Sequence, residues 1–275
     1  MFSAKSRLNN IMKIQTPKQT LVRAIMMAFL ASPIMAASGA ECVTSSSKQR
    51  VALLELYTSE GCSSCPPTDR WLSALKSDRA VPAALLPLAF HVDYWNDIGW
   101  ADPFSQAGFS NRQREHSRRR GARFVVTPQL LLDGVNYQRP LLFSDIDTKT
   151  QAINRTAPEA EIRMTEVRQT QSLAVRVDAH VPDKSLREAK LFIAVYENNL
   201  RTKVTAGENA GAVLTHDFVV RELSVPAAPN ENGDVSQRLT INFGPHWKPQ
   251  DLHVAAFVQH DRSGRVLQAL NSTCR

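Results

Sequence analysis

Glu55-Leu56-Tyr57-Thr58-Ser59-Glu60-Gly61-Cys62-Ser63-Ser64-Cys65-Pro66-Pro67 links an apolar run, Val51 to Tyr57, to an amphipathic segment, Pro66 to Leu75. The run reads as a buried strand and the segment as a helix with proline near its first turn. Two sulfurs therefore fall where a strand meets a helix. The four free N–H groups of a first helical turn, together with the helix dipole, stabilise an anion there, and the thiolate is the nucleophilic form of cysteine. Cys62 falls just ahead of that turn and Cys65 inside it, close enough to attack a mixed disulfide held on Cys62. The spacing points to thiol chemistry in which the first cysteine attacks and the second resolves.

From Val51 to about Thr156, apolar runs alternate with helical stretches. Leu85 to Asp93 reads as a second strand and Pro103 to Arg120 as a polar helix. Gln129 to Leu132 is a third strand ended by Asp133-Gly134, Asn136 to Gln138 a short fourth, and Ser144 to Asn154 a closing helix. The order βαβαββα implies a partly parallel sheet covered on both faces. After Ala157-Pro158 the texture changes to strands separated by loops: Glu161 to Gln169, Ser172 to Val181, Lys190 to Glu197, Thr215 to Val225, Val235 to Phe243, Leu252 to Asp261 and Val266 to Thr273. Such a series suggests an antiparallel sandwich of immunoglobulin-like or fibronectin-like kind. The sequence thus predicts an α/β domain over residues 41–157 followed by an all-β sandwich over 158–275.

The first forty residues contain Lys5, Arg7, Lys13, Lys18 and Arg23 but no acid, and run through apolar Ala24 to Ala37 into Ser38-Gly39-Ala40. This predicts a cleaved secretory leader over 1–40, begun at Met1 or Met12 and released near Glu41, leaving a periplasmic or secreted protein with no transmembrane segment. The formal net charge of +7 drops to +2 without those five cations, so nucleic acid is not indicated as a partner. The dense basic stretch Arg112, Arg114, Arg118, Arg119, Arg120, Arg123 reads as a solvated helix face. Four cysteines in an exported chain fit two pairs. Cys62 with Cys65 is the close pair. Cys42 and Cys274 flank the mature chain and read either as a structural disulfide joining its ends or as two free thiols.

His91 and Asp93 alternate on one face near the carboxyl end of the second strand, where ligand sites of open α/β sheets collect. Facing Cys62, His91 would take the thiol proton or, when charged, favour the thiolate, with Asp93 orienting the ring. The plainer alternative packs His91 in the core and lets Asp93 cap the turn into Tyr94. Trp95, Trp100 and Phe104 form either a rim for an apolar or peptide ligand or a small core under a long loop. Asp69 reads as an exposed residue near the positive end of a helix. Glu208 with His216 either reaches the cleft of the first half or belongs to an ordinary structural loop.

Strand, Cys-x-x-Cys at a helix start, and Val126-Thr127-Pro128 directly before a strand together resemble the thioredoxin superfamily. The resemblance implies a cis Thr127–Pro128 bond opposite the helix start, packed against the redox pair and lending its backbone to substrate. More narrowly, the opening stretch, Phe90-His91-Val92-Asp93-Tyr94-Trp95, Gly99-Trp100-Ala101-Asp102-Pro103-Phe104 and Thr127-Pro128-Gln129 are similar to the secreted family called domain of unknown function 1223. That similarity extends to Gly207-Glu208-Asn209 and Leu214-Thr215-His216 and spans almost the whole mature chain. The family has no settled reaction, so the likeness implies a fold and no substrate. Gly61 stands where thioredoxins carry an aromatic, and Ser63-Ser64 where they carry Gly-Pro. Glu55 lies seven residues before the first cysteine where thioredoxins place a buried acid at six.

These readings predict a periplasmic or secreted thiol–disulfide oxidoreductase acting on protein thiols or disulfides, without a cofactor, with Cys62, Cys65, Thr127, Pro128, His91 and Asp93 in its site. One alternative is a copper-binding protein using Cys62, Cys65 and His91. Another is a non-catalytic scaffolding or adhesion protein in which the close pair is a permanent staple. Zinc lacks a second cysteine pair at suitable spacing, and no Ser-His-Asp arrangement or phosphate-binding glycine loop stands out.

Overall fold

The computed structural model describes residues 40–77, 84–137 and 145–274. Residues 1–39 of the expected leader lie outside the described residues, as do Gln138 and Ser144 at the edges of two expected elements. The first part of the chain forms β1 (Glu41–Ser45), β2 (Ala52–Thr58), α1 (Pro66–Ala74), β3 (Leu85–His91), α2 (Ala107–Arg119), β4 (Gln129–Leu132), β5 (Val135–Asn136) and α3 (Ile146–Asn154). The rest forms β6 (Glu161–Arg168), β7 (Ser172–His180), β8 (Ala189–Glu197), β9 (Leu200–Lys203), β10 (Val213–His216), β11 (Val219–Leu223), β12 (Asp234–Asn242), β13 (Leu252–His260) and β14 (Val266–Asn271). β2 and β3 are mostly apolar and buried at every position, Glu55, Thr58 and His91 included, as strands covered on both faces must be.

Eight strands share one mixed sheet in the order β14-β13-β8-β11-β3-β2-β4-β5, and a second, antiparallel sheet runs β1-β6-β7-β12. This overturns the expected thioredoxin-like α/β domain with a separate β-sandwich behind it. The seam is where β11 meets β3: Val219 pairs with Ala89 in parallel, and the Ala89 N–H donates to the Phe218 carbonyl at 2.8 Å. Pro87, two residues earlier, turns to the same edge and has no N–H to offer, which fits the confinement of that pairing to one bridge. Periodicity reports which face of a strand is buried but not which strand lies beside it, so the shared sheet left no mark in the pattern.

β8 and β13 serve two cores at once through the two-residue period of a strand. Ile193, Val195, Val254 and Val258 meet Ile162, Met164, Val175 and Val177 of the four-stranded sheet. The alternate positions Ala194, Tyr196, Ala255 and Phe257 join Leu54, Leu56, Phe90 and Phe109 in the core around β2 and β3. The expected strand Thr215 to Val225 is two, because Phe218 adopts φ of 59° between β10, which turns back on β9, and β11, which enters the large sheet. Cys42 on β1 is bridged to Cys274.

Of the basic stretch expected as a solvated face, Arg114, Arg118, Arg120 and Arg123 are exposed and Arg119 partly so, but Arg112 is not. Arg112 is buried, its guanidinium lying 5.7, 4.9 and 5.2 Å from the ring centroids of Phe90, Phe192 and Phe257, and it donates to Glu55 at 2.8 Å and Gln259 at 2.9 Å.

Candidate functional site

The loop from β2 to α1 is a chain of short backbone hydrogen bonds. The Cys62 N–H donates to Ser59 O at 3.2 Å, Cys65 N–H to Cys62 O at 3.2 Å, and Thr68 and Asp69 N–H groups to Cys65 O at 2.9 and 3.1 Å. Cys65 is thus the N-cap of α1, and prolines occupy the next positions, where a missing N–H costs nothing. Cys62 and Cys65 are joined by a disulfide with their Cα atoms 5.5 Å apart. Cys62 Sγ lies 3.8 Å from the carbonyl oxygen of Thr127, whose peptide bond to Pro128 is cis. Trp95 Nε1 donates to Thr127 Oγ1 at 2.7 Å and Gln113 Nε2 to Val126 O at 2.8 Å, fixing that segment from two sides.

Both sulfurs are enclosed: Cys62 is 1% and Cys65 0% exposed, while Ser63 and Ser64 between them face solvent. The reading of Cys62 as the attacking sulfur thus meets a pair closed to solvent. The loop between β9 and β10 is fastened to the backbone of the cysteine loop. Asn209 Nδ2 donates to Glu60 O at 2.8 Å and Cys62 O at 3.0 Å, and the Ser63 N–H donates to Glu208 Oε2 at 3.0 Å. Gly207, at φ of 72°, lies so close to Trp100 that a Cβ there would stand 3.1 Å from Trp100 Cβ. Glu208 and His216 thus reach the cysteine loop, and their carboxylate and ring take part in its framework.

Beneath the disulfide lies a buried acid–imidazole cluster. Glu60 accepts from Trp100 Nε1 at 3.0 Å and lies 3.1 Å from His216 Nε2, and its own N–H donates to Asp102 at 2.8 Å. Asp102 also holds His91 Nδ1 at 2.7 Å. Burial alone would lower the His91 pKa, but the Asp102 carboxylate with the charges of Asp69 and Glu60 outweighs it, and the net shift is upward. Burial likewise opposes ionisation of Asp102, yet His91 and backbone N–H donors hold its pKa below the usual value. Asp69 goes the other way: burial raises its pKa, and His216 and His91 offset this only in part. Asp69 Oδ2, His91 Nε2 and Thr58 Oγ1 are all buried, with the Thr58 hydroxyl beside the Asp69 carboxyl and His91 Nε2 without a hydrogen-bond partner among the described residues. A cavity of about 40 Å³, of the order of one water, is lined by Asp69, Arg70 and His216.

The family model described as protein of unknown function, DUF1223, matches residues 53–259. The chain belongs to the DUF1223 family. Among solved structures this DUF1223 chain is similar to HBP35 of Porphyromonas gingivalis, at 15% identity over 82% of this chain and 76% of that one, with a TM-score of 0.63. It is also similar to protein AGR_C_4864 from Agrobacterium tumefaciens, at 18% identity over 83% and 98% of the two chains, with a TM-score of 0.56. At these identities the likeness is one of fold. No curated protein matches the chain.

Within this DUF1223 framework the residues read from sequence part company. Cys62, Cys65, Thr127 and Pro128 come together. His91 is buried and its ring partner is Asp102, whereas Asp93 takes the Ser110 hydroxyl, so Asp93 does not orient the imidazole. Glu55 serves Arg112 and Tyr57 on the α2 side of the sheet and is no proton acceptor for the pair. Asp69 is buried, where an exposed position was expected. The clue was its spacing: four residues after Cys65, it shares that helix face. Trp95 and Trp100 are half-buried and hydrogen-bonded to Thr127 and Glu60, while Phe104 is buried against the rings of His91 and His216, so the trio builds the loop more than a rim. Among the described residues no group of three or more His, Cys, Asp or Glu is arranged to hold a metal, and the three expected copper ligands are a bridged pair and an imidazole turned to Asp102. No helix among them is long and apolar enough to cross a membrane.

Proposed function

We propose that this DUF1223 protein is a thiol–disulfide oxidoreductase acting on protein thiols or disulfides outside the cytoplasm. The observation that carries the reading is a disulfide across Cys62-Ser63-Ser64-Cys65 at the head of α1, with Cys62 Sγ 3.8 Å from the Thr127 carbonyl. Kinship with the thioredoxin superfamily enters through this local arrangement alone. In the oxidising direction a substrate thiolate attacks Cys62 Sγ, the Cys62–Cys65 bond breaks, and Cys65 leaves as a thiolate. A second substrate thiolate then attacks the substrate sulfur of the mixed disulfide and Cys62 leaves. The substrate gives up two electrons, and the two new thiolates take up two protons. The first turn of α1 favours the thiolates, and Asp69, whose pKa burial raises, shares the helix face of Cys65. Because both sulfurs are enclosed, exchange on this reading begins with displacement of residues 207–209.

A Cys65→Ala variant should trap partner proteins on Cys62 as mixed disulfides released by reductant. Recovery of none, together with a Cys62 inert to thiol labels in the folded variant, would end the proposal.

The burial of both sulfurs favours a second reading, a scaffolding protein in which Cys62–Cys65 permanently staples a loop. Its mark is a disulfide that survives mild reductant in the folded protein, and whose replacement by two serines lowers the melting temperature and changes nothing else.

A further inference from the structure

The segment leading into Thr127 carries two features without use inside the molecule. Arg118, Arg120 and Arg123 are exposed and make no salt bridge among the described residues, whereas Arg112 is tied to Glu55 and Arg119 to Glu115 and Asp261. Directly after them, Phe124 is 76% and Val126 51% exposed. The strip therefore runs from free guanidinium groups, through open apolar side chains, to the carbonyl 3.8 Å from Cys62 Sγ.

We propose that this strip docks a segment of a partner protein that carries an apolar residue beside its cysteine and acidic residues further along the chain. The inference rests on the thiol–disulfide reading and names its substrate class. Clustered exposed apolar side chains mark places that gain by being covered. Guanidinium groups pair with carboxylates through two parallel hydrogen bonds, and a field of one sign speeds encounter with the opposite sign. The order along the strip sets the order on the ligand, because the apolar contacts lie nearest the sulfur and the charges farthest from it.

Three dithiol peptides with one apolar core, flanked by acidic, neutral or basic residues, test this against the full protein in its disulfide form. At low ionic strength the acidic peptide should reduce Cys62–Cys65 at least about tenfold faster than the basic one, the scale of electrostatic steering. That ratio should shrink toward one near ~1 M salt, where screening acts within about 3 Å. It should also vanish in the triple variant R118Q/R120Q/R123Q, while F124S slows all three peptides alike. Equal rates for the three peptides would overturn the docking and leave exchange standing; no reaction with any of them would instead remove the exchange. Docking is then still decided by tryptophan fluorescence with Cys→Ser peptides, where preference for the acidic one supports it and equal affinity overturns it. Binding to anionic lipid vesicles that the triple variant loses, with no preference among peptides, would overturn it in favour of a membrane surface.

Discussion

Asp69 holds a buried carboxyl in the first turn of α1. Its folded pKa lies above the unfolded value of 3.8, so the folded chain binds that proton more tightly, and stability falls as pH rises from about 4 through the folded value. Asp69→Asn should therefore gain on wild type as pH is taken from 4 to 7 in urea titrations. Glu55 and His116 pull the other way. Burial opposes the Glu55 charge, but Arg112 and His116 hold its pKa at about 2, and burial lowers that of His116 to about 4. Both folded values are depressed, so their contributions are present above the unfolded values and are lost as pH falls. The advantage of wild type over His116→Gln should thus be constant above pH 6.5, the ordinary imidazole value, and narrow toward pH 4. Removing a partner from a buried pair leaves an uncompensated charge, so Arg112→Leu should cost about 3–5 kcal/mol, with much of it recovered when Glu55→Gln is added. The cysteines and Thr127–Pro128 were legible because each is a short local pattern. Asp102 and Asn209 were not singled out, since nothing local ties an acid in a loop to a histidine eleven residues before it, or an amide to a carbonyl 147 residues away.

At the scale of elements, the loop between β9 and β10 acts as a strap on the cysteine loop, held by Asn209, Glu208 and the close fit of Gly207 on Trp100. Asn209→Ala removes two hydrogen bonds, each contributing about 1 kcal/mol, so reduction of Cys62–Cys65 by dithiothreitol should quicken by up to roughly thirtyfold, read by alkylation and mass spectrometry. An unchanged rate would mean that reductant enters by another route. The individual elements were largely legible: the mostly apolar runs of β2 and β3, the prolines opening α1 and the alternation in β7 each carry their period in the sequence. The split of β10 from β11 was not, because the polar and apolar residues around Thr215 continue without a turn signal into β11, and the break at Phe218 is a backbone event.

For the molecule as a whole, the seam between β3 and β11 and the Cys42–Cys274 bridge bind early and late segments together. A side-chain carbon on Gly134 would collide with the carbonyl of Gly264, so the two stretches meet backbone to backbone. The bridge spans 232 residues, and constraint of so long a loop in the unfolded chain contributes about 5 kcal/mol in the chain-entropy account. Cys42→Ser with Cys274→Ser should lower unfolding stability by about 2–5 kcal/mol without altering the reduction rate of Cys62–Cys65. Two separate domains were expected because residues on either side of 157 differ in texture. What joins them is a strand edge, the pairing of β1 with β6, a disulfide and a shared core, and none of these leaves a periodic trace. The strap adds a matter of timing: a ribosome delivers Cys62 and Cys65 well over a hundred residues before Asn209 exists. Every newborn copy must therefore pass through a stage in which its sulfurs are bare, more open to chance oxidants and to folding helpers than they are in the finished protein.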